Sequence, residues 1–519
     1  MKINRITIVG GGSSGWMTAA ALCKNFPDMD ITLIESKNIK TMGVGESTLG
    51  QFNHYLDLLG LKDEDWMKEC DATYKISIKF TDFREMDSVF HYPFGVNNFE
   101  HLPRGMDCWP IIRQLDPEYN TLDKYARFMN PITFLAEKNK LTKNEDSNVP
   151  NFFFERDTAY HLDAIKFGIY LKNNICIPAG MTHIIEDVVD VVQKEDGEIE
   201  YIITESGNQL KADLFIDCTG FKSLLLEQKM GSKFISFNET LMNDKALVTK
   251  IPYTNKDVEM ENTTNCTAIE NGWVWNIPLW NRIGSGYVYS SKFVDRDQAK
   301  KEFITHLKKV GKNVSDDMEF SDINIRHGRR EKAWIKNVLG IGLSYGFIEP
   351  LESTGLLTTH DNIFRLVKML GRRGGFVSGV DKSMFNTYCS YVVDGVRSFL
   401  EMHYGLSLRQ DTDYWKHVTS IEYHDDYEVQ QLEINIFRQS NFNGLIGGMP
   451  YIAAGMGFLP TYQFGRGLPG TGKLPMEEMT TFESINKEFK MFSDSLQAHT
   501  NTLPSHYQFL KQTIYKTCE

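Results

Sequence analysis

The chain has no apolar run of the roughly 20 residues a bilayer requires, so no membrane span is expected. Its first strand begins almost at Met1, which leaves no room for a signal or transit peptide, and the expected location is the cytoplasm. Basic charge is scarce: 56 Lys and Arg face 68 Asp and Glu, for a net charge of −12. Nucleic-acid binding needs a basic face to neutralise phosphates, so that class is not expected. Cysteine is scattered over Cys23, Cys70, Cys108, Cys176, Cys218, Cys266, Cys389 and Cys518, with no C-x-x-C pair. The thirteen histidines form no H-x-x-x-H pair on a helix. These gaps argue against a disulfide framework and a zinc site, and no metal is expected.

What is present is a globular composition, 41% hydrophobic and 24% charged over 519 residues. That length accommodates two domains, or one large domain with an inserted layer. The organising stretch is 5–35. Ile6 to Val9 is a short β-branched run of the kind found in buried parallel strands. Gly10, Gly12 and Gly15 follow as G-x-G-x-x-G, Ala19 to Leu22 carry a helix, and Ile31 to Ile34 form a second strand. That strand ends at Glu35, 20 residues after Gly15. Strand, glycines, helix, strand and acid together spell a dinucleotide-binding unit. Gly10 makes the tight turn, Gly12 admits a pyrophosphate, and Gly15 allows close packing. The helix start offers N–H groups to phosphate, and Glu35 accepts from a ribose.

Further along, Gly43-Val44-Gly45-Glu46-Ser47-Thr48 reads either as a ligand-side loop or as a surface turn before a helix at 49–59. Residues 74–84 alternate like a half-buried strand, with Ile76, Ile78 and Phe80 facing one way. Lys75 and Lys79 need other surroundings, and a lone strand lysine is ordinarily a solvated one. Residues 86–110 are rich in aromatics (Phe90, Tyr92, Phe94, Phe99, Trp109) with few strand or helix signals. They fit an aromatic pocket or a packed loop. Residues 138–150 read as an exposed excursion, and a helix is predicted from Tyr160 to about Lys172.

The β-rich segment 182–216 closes on a buried strand running into Asp217 and Gly220, which returns the chain to the nucleotide sheet. Residues 272–290 read as a hairpin with Trp273 and Trp275 on one face, as core or wall. A second strand–loop–helix unit spans 338–359, with free N–H groups at the helix start suited to an anion; Glu352, Ser353 and Thr354 equally suit a capping cluster. Beyond 357 the pattern is helical, at 383–404, 425–438 and 477–499, interrupted by Gly, Pro and aromatic residues at 444–465. Residues 467–474 nearly spell a P-loop, but Leu474 stands where its hydroxyl is needed, and the stretch reads as a loop.

The fingerprint runs on into Trp16-Met17, and Trp273-x-Trp275-x-Ile277-Pro278 follows later. With Gly43 to Thr48, Ile78-Lys79-Phe80, Asp213 to Phe221 and Phe347 to Gly355, these stretches resemble the flavin-dependent tryptophan halogenases. The resemblance covers the chain to roughly residue 400. It implies an FAD-binding Rossmann-like domain of the flavin monooxygenase type, with an α/β fold. That domain is interleaved with a β-sheet substrate layer and joined to a mainly helical C-terminal part. The expected division is 1–356 for the cofactor and sheet module and 357–519 for a helical cap.

The resemblance also implies the chemistry. Reduced FAD from a separate, diffusible flavin reductase reacts with O2 to a flavin hydroperoxide, and a halide (chloride, bromide or iodide) attacks it. The resulting hypohalous acid passes through a tunnel to the family lysine, matched to Lys79, for halogenation of an indole- or phenol-like small molecule. Glu352 then assists or removes the ring proton, and Ser353 lies beside the lysine. The halide sits at Thr354 and Gly355. Expected cofactor contacts are Gly10, Gly12, Ser13, Ser14, Gly15, Glu35, Gly45, Glu46, Asp217 and Gly342. Tyr92, Phe94, Trp273, Trp275 and Pro350 are expected along the substrate and tunnel path. His91-Tyr92-Pro93-Phe94 has Tyr92 where tryptophan-using members carry histidine, which argues against free tryptophan as the substrate. Only one dinucleotide fingerprint is visible, consistent with reduction elsewhere. Family members are often dimers, so a homo-oligomer is compatible. The competing readings are a flavin monooxygenase that hydroxylates its substrate, and a flavin-binding protein without turnover.

Overall fold

The structure is a computed structural model that describes residues 1–38, 43–95, 124–315, 318–423, 448–458 and 476–516. The chain forms two compact units, each built from separated segments. Unit 1 comprises Met1–Thr73, Tyr160–Asp244 and Asn324–Asp394, and unit 2 comprises Tyr74–Ala159, Lys245–Ile323 and Gly395–Glu519.

Unit 1 is organised by a six-stranded sheet. Its order is Trp334–Ile335, Val338–Gly340, Leu214–Asp217, Arg5–Val9, Asp30–Glu35 and Thr182–Ile185. All neighbours are parallel except the antiparallel edge strand Trp334–Ile335. Arg5–Val9 lies centrally because both of its faces are covered: Ile6, Thr7 and Ile8 are buried, as parallel strands require. Ile6 sits in register with both Ile31 and Leu214, so the strand ending at Asp217 does return to the nucleotide sheet. The helix Ser13–Asn25 packs closely through the fully buried Ala19, Ala20 and Ala21, whose small side chains permit near approach.

Two expectations change here. The helix predicted from Tyr160 begins at Ala164, because Ala159–Leu162 is a strand pairing Leu162 with Glu46 and His161 with Ser47. Asp163 then caps the helix by accepting from the N–H groups of Ile165 and Lys166. Nor does the chain divide at residue 356: the 19-residue helix Thr354–Arg372 runs straight through that point. Its Leu356, Leu357, Ile363, Leu366 and Leu370 are all buried, so cutting it would split one apolar face.

Unit 2 is organised by a seven-stranded sheet in the order Ser321–Asn324, Lys245–Ile251, Ile283–Tyr289, Gly272–Pro278, Thr263–Ile269, Ser77–Thr81 and Val89–Pro93. Leu247, Val274, Ile283 and Tyr287 pack against Ala299, Phe303 and Leu307 of the helix Arg296–Lys309. The expected hairpin at 272–290 is present. Of the aromatic-rich stretch the structure describes residues 86–95. Val89–Pro93 is a strand antiparallel to Ser77–Thr81, with Lys79 opposite His91. Phe99, His101 and Trp109 lie outside the described residues.

The C-terminal third is helical, as expected, with Gly379–Gly405, Asp413–Val418 and Met476–Thr502. A short helix, Met449–Gly455, occupies part of the stretch expected to interrupt the helices. Residues 425–438 and 467–474 lie outside the described residues. No helix among the described residues is long and apolar enough to cross a membrane.

Candidate functional site

In unit 1 three parallel strands end side by side at Val9, Glu35 and Asp217, with Gly10 following the first of them. The Gly10 N–H donates to the Ile34 carbonyl at 2.8 Å, and the Cys218 N–H donates to the Val9 carbonyl at 2.8 Å. Gly10 has φ +112°, and a Cβ on it would stand 2.3 Å from the Cys218 oxygen, so no other residue fits. Gly12 faces open space, and no side chain caps the helix it precedes. The open backbone at Gly12 and the uncapped N–H groups at Ser13 and Ser14 fit a pyrophosphate.

Glu35 accepts from His183 Nε2 at 2.8 Å, and its carboxylate arches over Gly11, where a Cβ would lie 1.6 Å from Oε2. Gly11 and His183 are therefore part of the site. The Gly11 requirement hides in a three-glycine run, and the His183 partnership arises only from the pairing of Leu33 with His183 across the sheet. Gly342 has φ +73° and lies against Ser14, where an added Cβ would stand only 2.7 Å from the serine Cβ. Two expected cofactor residues from distant segments thus meet. Asp217 is engaged within its own segment. Its buried carboxylate accepts from the N–H groups of Leu225 and Leu226 at 2.8 Å and from the Thr219 hydroxyl at 2.6 Å. It shapes the 219–226 turn beside the cofactor end of the sheet.

The Gly43 loop and the Phe347–Gly355 loop also belong to unit 1. Gly45 has φ +126°. Glu46 retains some surface, yet desolvation pushes its carboxyl up to about 7. Ser47 receives a hydrogen bond from Ser353, hydroxyl to hydroxyl, at 3.0 Å. Pro350–Glu352 form a tight turn, and Glu352 is fully buried. Ser353 sits in the left-handed region at φ 59°, ψ 32°, a conformation that strains a residue with a side chain. No side chain caps the Thr354–Arg372 helix, because Ser353 lacks the extended backbone of a capping serine. A Cβ on Gly355 would find only Phe347, 4.0 Å away. Uncapped N–H groups beside open space make an anion-friendly helix start.

In unit 2, Lys79 is half-buried and borders a cleft of about 820 Å³ with Glu259, Glu261, Asn265 and Lys312. Among the described residues, no Phe, Tyr or Trp lines that cleft. Lys75, four residues earlier, is completely buried, with its ammonium 4.9 Å from the ring centre of Phe94. Phe94 meets Tyr92 edge-on at 5.4 Å, and Tyr92 stacks on Tyr451 at 5.9 Å. Of the two lysines, Lys75 is the one on the aromatic wall. The expected strand is two, Thr73–Lys75 and Ser77–Thr81, which belong to different sheets and so give the two lysines different neighbours. Lys79 and Glu352 belong to different units.

Trp273 and Trp275 are both buried, with ring centres 5.8 Å apart. The Trp275 ring lies over its cross-strand partner Gly286, where a Cβ would come within 2.2 Å of it. Among the described residues no group of acidic, His and Cys side chains has the arrangement of a metal site, and the six described cysteines are free and buried.

A family model described as tryptophan halogenase matches residues 5–465. The 7-chloro-L-tryptophan 6-halogenase KtzR of Kutzneria sp. (strain 744) is 32% identical over 97% of this chain and 98% of its own. The tryptophan 6-halogenase SttH of Streptomyces toxytricini is 32% identical over 98% of this chain and 97% of its own. The crystal structure of SttH superposes with a TM-score of 0.82 over 98% of this chain and 99% of that one. The apo structure of VirX1 is 45% identical and superposes with a TM-score of 0.90 over 99% of this chain and 100% of that one. Sequence, fold and nucleotide end agree: the chain belongs to the tryptophan halogenase family of flavin-dependent enzymes.

Proposed function

We propose that this enzyme halogenates a small, electron-rich aromatic molecule, indole- or phenol-like, using chloride, bromide or iodide, with reduced FAD supplied by a separate reductase. Bound reduced FAD supplies, with O2, the oxidising power that makes the halide electrophilic. Gly10, Gly12, Ser13, Ser14 and Gly15 hold its pyrophosphate, and Glu35 its ribose, with Gly45, Glu46 and Gly342 alongside. Backbone N–H groups at Thr354 and Gly355 hold the halide, supported by the uncapped helix start.

The sequence match assigns the halogen-bearing amine to Lys79. The geometry of unit 2 favours Lys75, and this is the observation that carries the reading: a buried amine 4.9 Å from an aromatic wall. Burial beside Phe94 keeps bulk water from the Lys75 amine. That amine hydrogen-bonds the hypohalous acid or carries the halogen to the ring. Glu352 takes the ring proton, and Ser353 steadies the turn that presents it. Trp273, Trp275 and Pro350 keep water from the electrophile. Tyr92 in place of histidine makes free tryptophan a poor fit.

The test is product mass over a panel of indoles and phenols with each halide in turn. A halogen mass shift supports the reading. An oxygen mass shift replaces it with hydroxylation. Bound FAD with no product from any member of the panel makes the chain a flavin-binding protein without turnover.

A further inference from the structure

Behind the turn that presents Glu352 lies a closed ring of three hydrogen bonds. The Glu349 N–H donates to His327 Nδ1 at 3.3 Å, His327 Nε2–H donates to the Asn243 carbonyl at 2.5 Å, and Asn243 Nδ2–H donates to Glu349 Oε2 at 2.8 Å. All three residues are buried, at 0%, 0% and 1% exposure for Glu349, His327 and Asn243. The ring fixes the histidine as the neutral tautomer with its proton on Nε2, since Nδ1 must accept from an amide. Desolvation favours that neutral form as well and holds the imidazole below its ordinary range.

The location gives the ring its purpose. Glu349 is the last residue before the turn Pro350–Glu352. On its N-terminal side, Gly346–Phe347 is clamped by pairing with Gly328–Arg330, the strand that His327 leads into. On its C-terminal side, the Ser353 N–H bonds the Pro350 carbonyl at 2.9 Å, and the Ser353 hydroxyl bonds Ser47. The turn is therefore pinned at both ends, and Glu352 has no slack between the pins. The left-handed Ser353 stores strain that only an over-determined setting can hold. A buried polar network satisfied member by member rigidifies the backbone it holds.

We propose that His327, Asn243 and Glu349 are positioning residues for the halide and proton-transfer site. By closing the ring, they fix the Pro350–Ser353 turn and thereby aim Glu352 and the first N–H groups of the Thr354–Arg372 helix. This rests on the halogenase reading above for its chemical meaning, while the positioning itself is a property of the fold.

The experiment compares His327→Leu with His327→Gln in the full chain loaded with FAD. Leucine removes both ring contacts. Glutamine presents an acceptor and a donor at a similar spacing. The first readout is amide hydrogen exchange of the 346–358 segment, which needs no turnover. The second is the split between the KM for bromide and the Kd for FAD. The expected result is exchange at least about tenfold faster and a bromide KM at least about tenfold higher in His327→Leu. The FAD Kd stays within about twofold, and His327→Gln returns most of both changes. Exchange and KM unchanged in His327→Leu overturn the proposal. So does a matching loss of FAD affinity, or no rescue by glutamine, either of which marks a merely structural residue. If His327→Leu does not fold, Asn243→Ser removes one donor from the ring and carries the same readouts. A wild-type protein that makes no halogenated product sinks the halogenase reading alone, because the exchange result still decides the positioning.

Discussion

The hydroxyl of Ser353 donates to the hydroxyl of Ser47 at 3.0 Å, joining two loops separated by 306 positions in the chain. The bond ties the Gly43–Thr48 loop to the turn carrying Glu352, and no side chain caps the helix behind Ser353. A serine before a helix ordinarily accepts from the first-turn N–H groups. Here those groups stay available to an anion.

Ser47→Ala removes that tie with little change in volume. One neutral hydrogen bond contributes about 1 kcal/mol, which is about a fivefold change. The expected outcome is a several-fold rise in the KM for halide with FAD affinity nearly unchanged, read by initial rates against bromide and by flavin titration. An unchanged halide KM would detach Ser353 from halide binding.

Gly342→Ala tests the meeting of Gly342 and Ser14. An added Cβ would stand 2.7 Å from the Ser14 Cβ at a φ of +73°, so it meets both a clash and a strained backbone. Such strain costs about 1–3 kcal/mol. A lower Tm and FAD binding weakened by about tenfold are expected from thermal denaturation and flavin titration. Wild-type FAD affinity would remove Gly342 from the cofactor site.

Acid weakens the fold through buried neutral histidines. Desolvation lowers His91 and His360 to about 3, and His306 and His506 to about 4. Lys79 adds to the effect at His91, Lys309 at His306 and His54 at His360. In the unfolded chain these groups titrate near 6.5, so below that pH the unfolded state binds more protons. Stability is therefore full above about pH 6.5 and is lost as pH falls toward the folded values. Each histidine contributes at most about 1.4 kcal/mol per pH unit over that window. Removing one titration flattens the slope: His360→Leu should narrow its stability deficit, or surpass the wild type, between about pH 7.5 and pH 5 in denaturant titrations. His360 is suitable because it is buried edge-on to Phe52 at 5.7 Å, where an apolar side chain can pack. A pH slope identical to wild type would contradict the assignment.

The nucleotide end is legible in the sequence because its signals are local. Gly10, Gly12, Gly15 and Glu35 lie within one strand–helix–strand unit, and Gly10 and Gly15 each meet a close backbone constraint. The strand at Val89–Pro93 is not legible, because its partner Ser77–Thr81 supplies the ladder from outside the segment. The late helix start at Ala164 turns on Asp163, a cap that competes with helical periodicity beginning at Tyr160. The extent of the units is not legible near 356, where the helix Thr354–Arg372 runs unbroken within the segment Asn324–Asp394. Pattern alone does not separate Lys75 from Lys79, because both alternate properly in a continuous strand. The change of sheet between Thr73–Lys75 and Ser77–Thr81 sends them to different surroundings. The ring of Glu349, His327 and Asn243 leaves no sequence signal, being assembled from three separated positions in two segments.

The most direct test is mass-spectrometric analysis of product from wild type, Lys75→Met and Lys79→Met, each with FAD, a flavin reductase, NADH, O2 and bromide over the aromatic panel. The account predicts a brominated product from wild type. In Lys75→Met that product falls by at least about a hundredfold while FAD still binds, and in Lys79→Met a substantial share of it remains. Full bromination by Lys75→Met would contradict the account, and its loss in Lys79→Met instead would return the halogen-bearing role to Lys79.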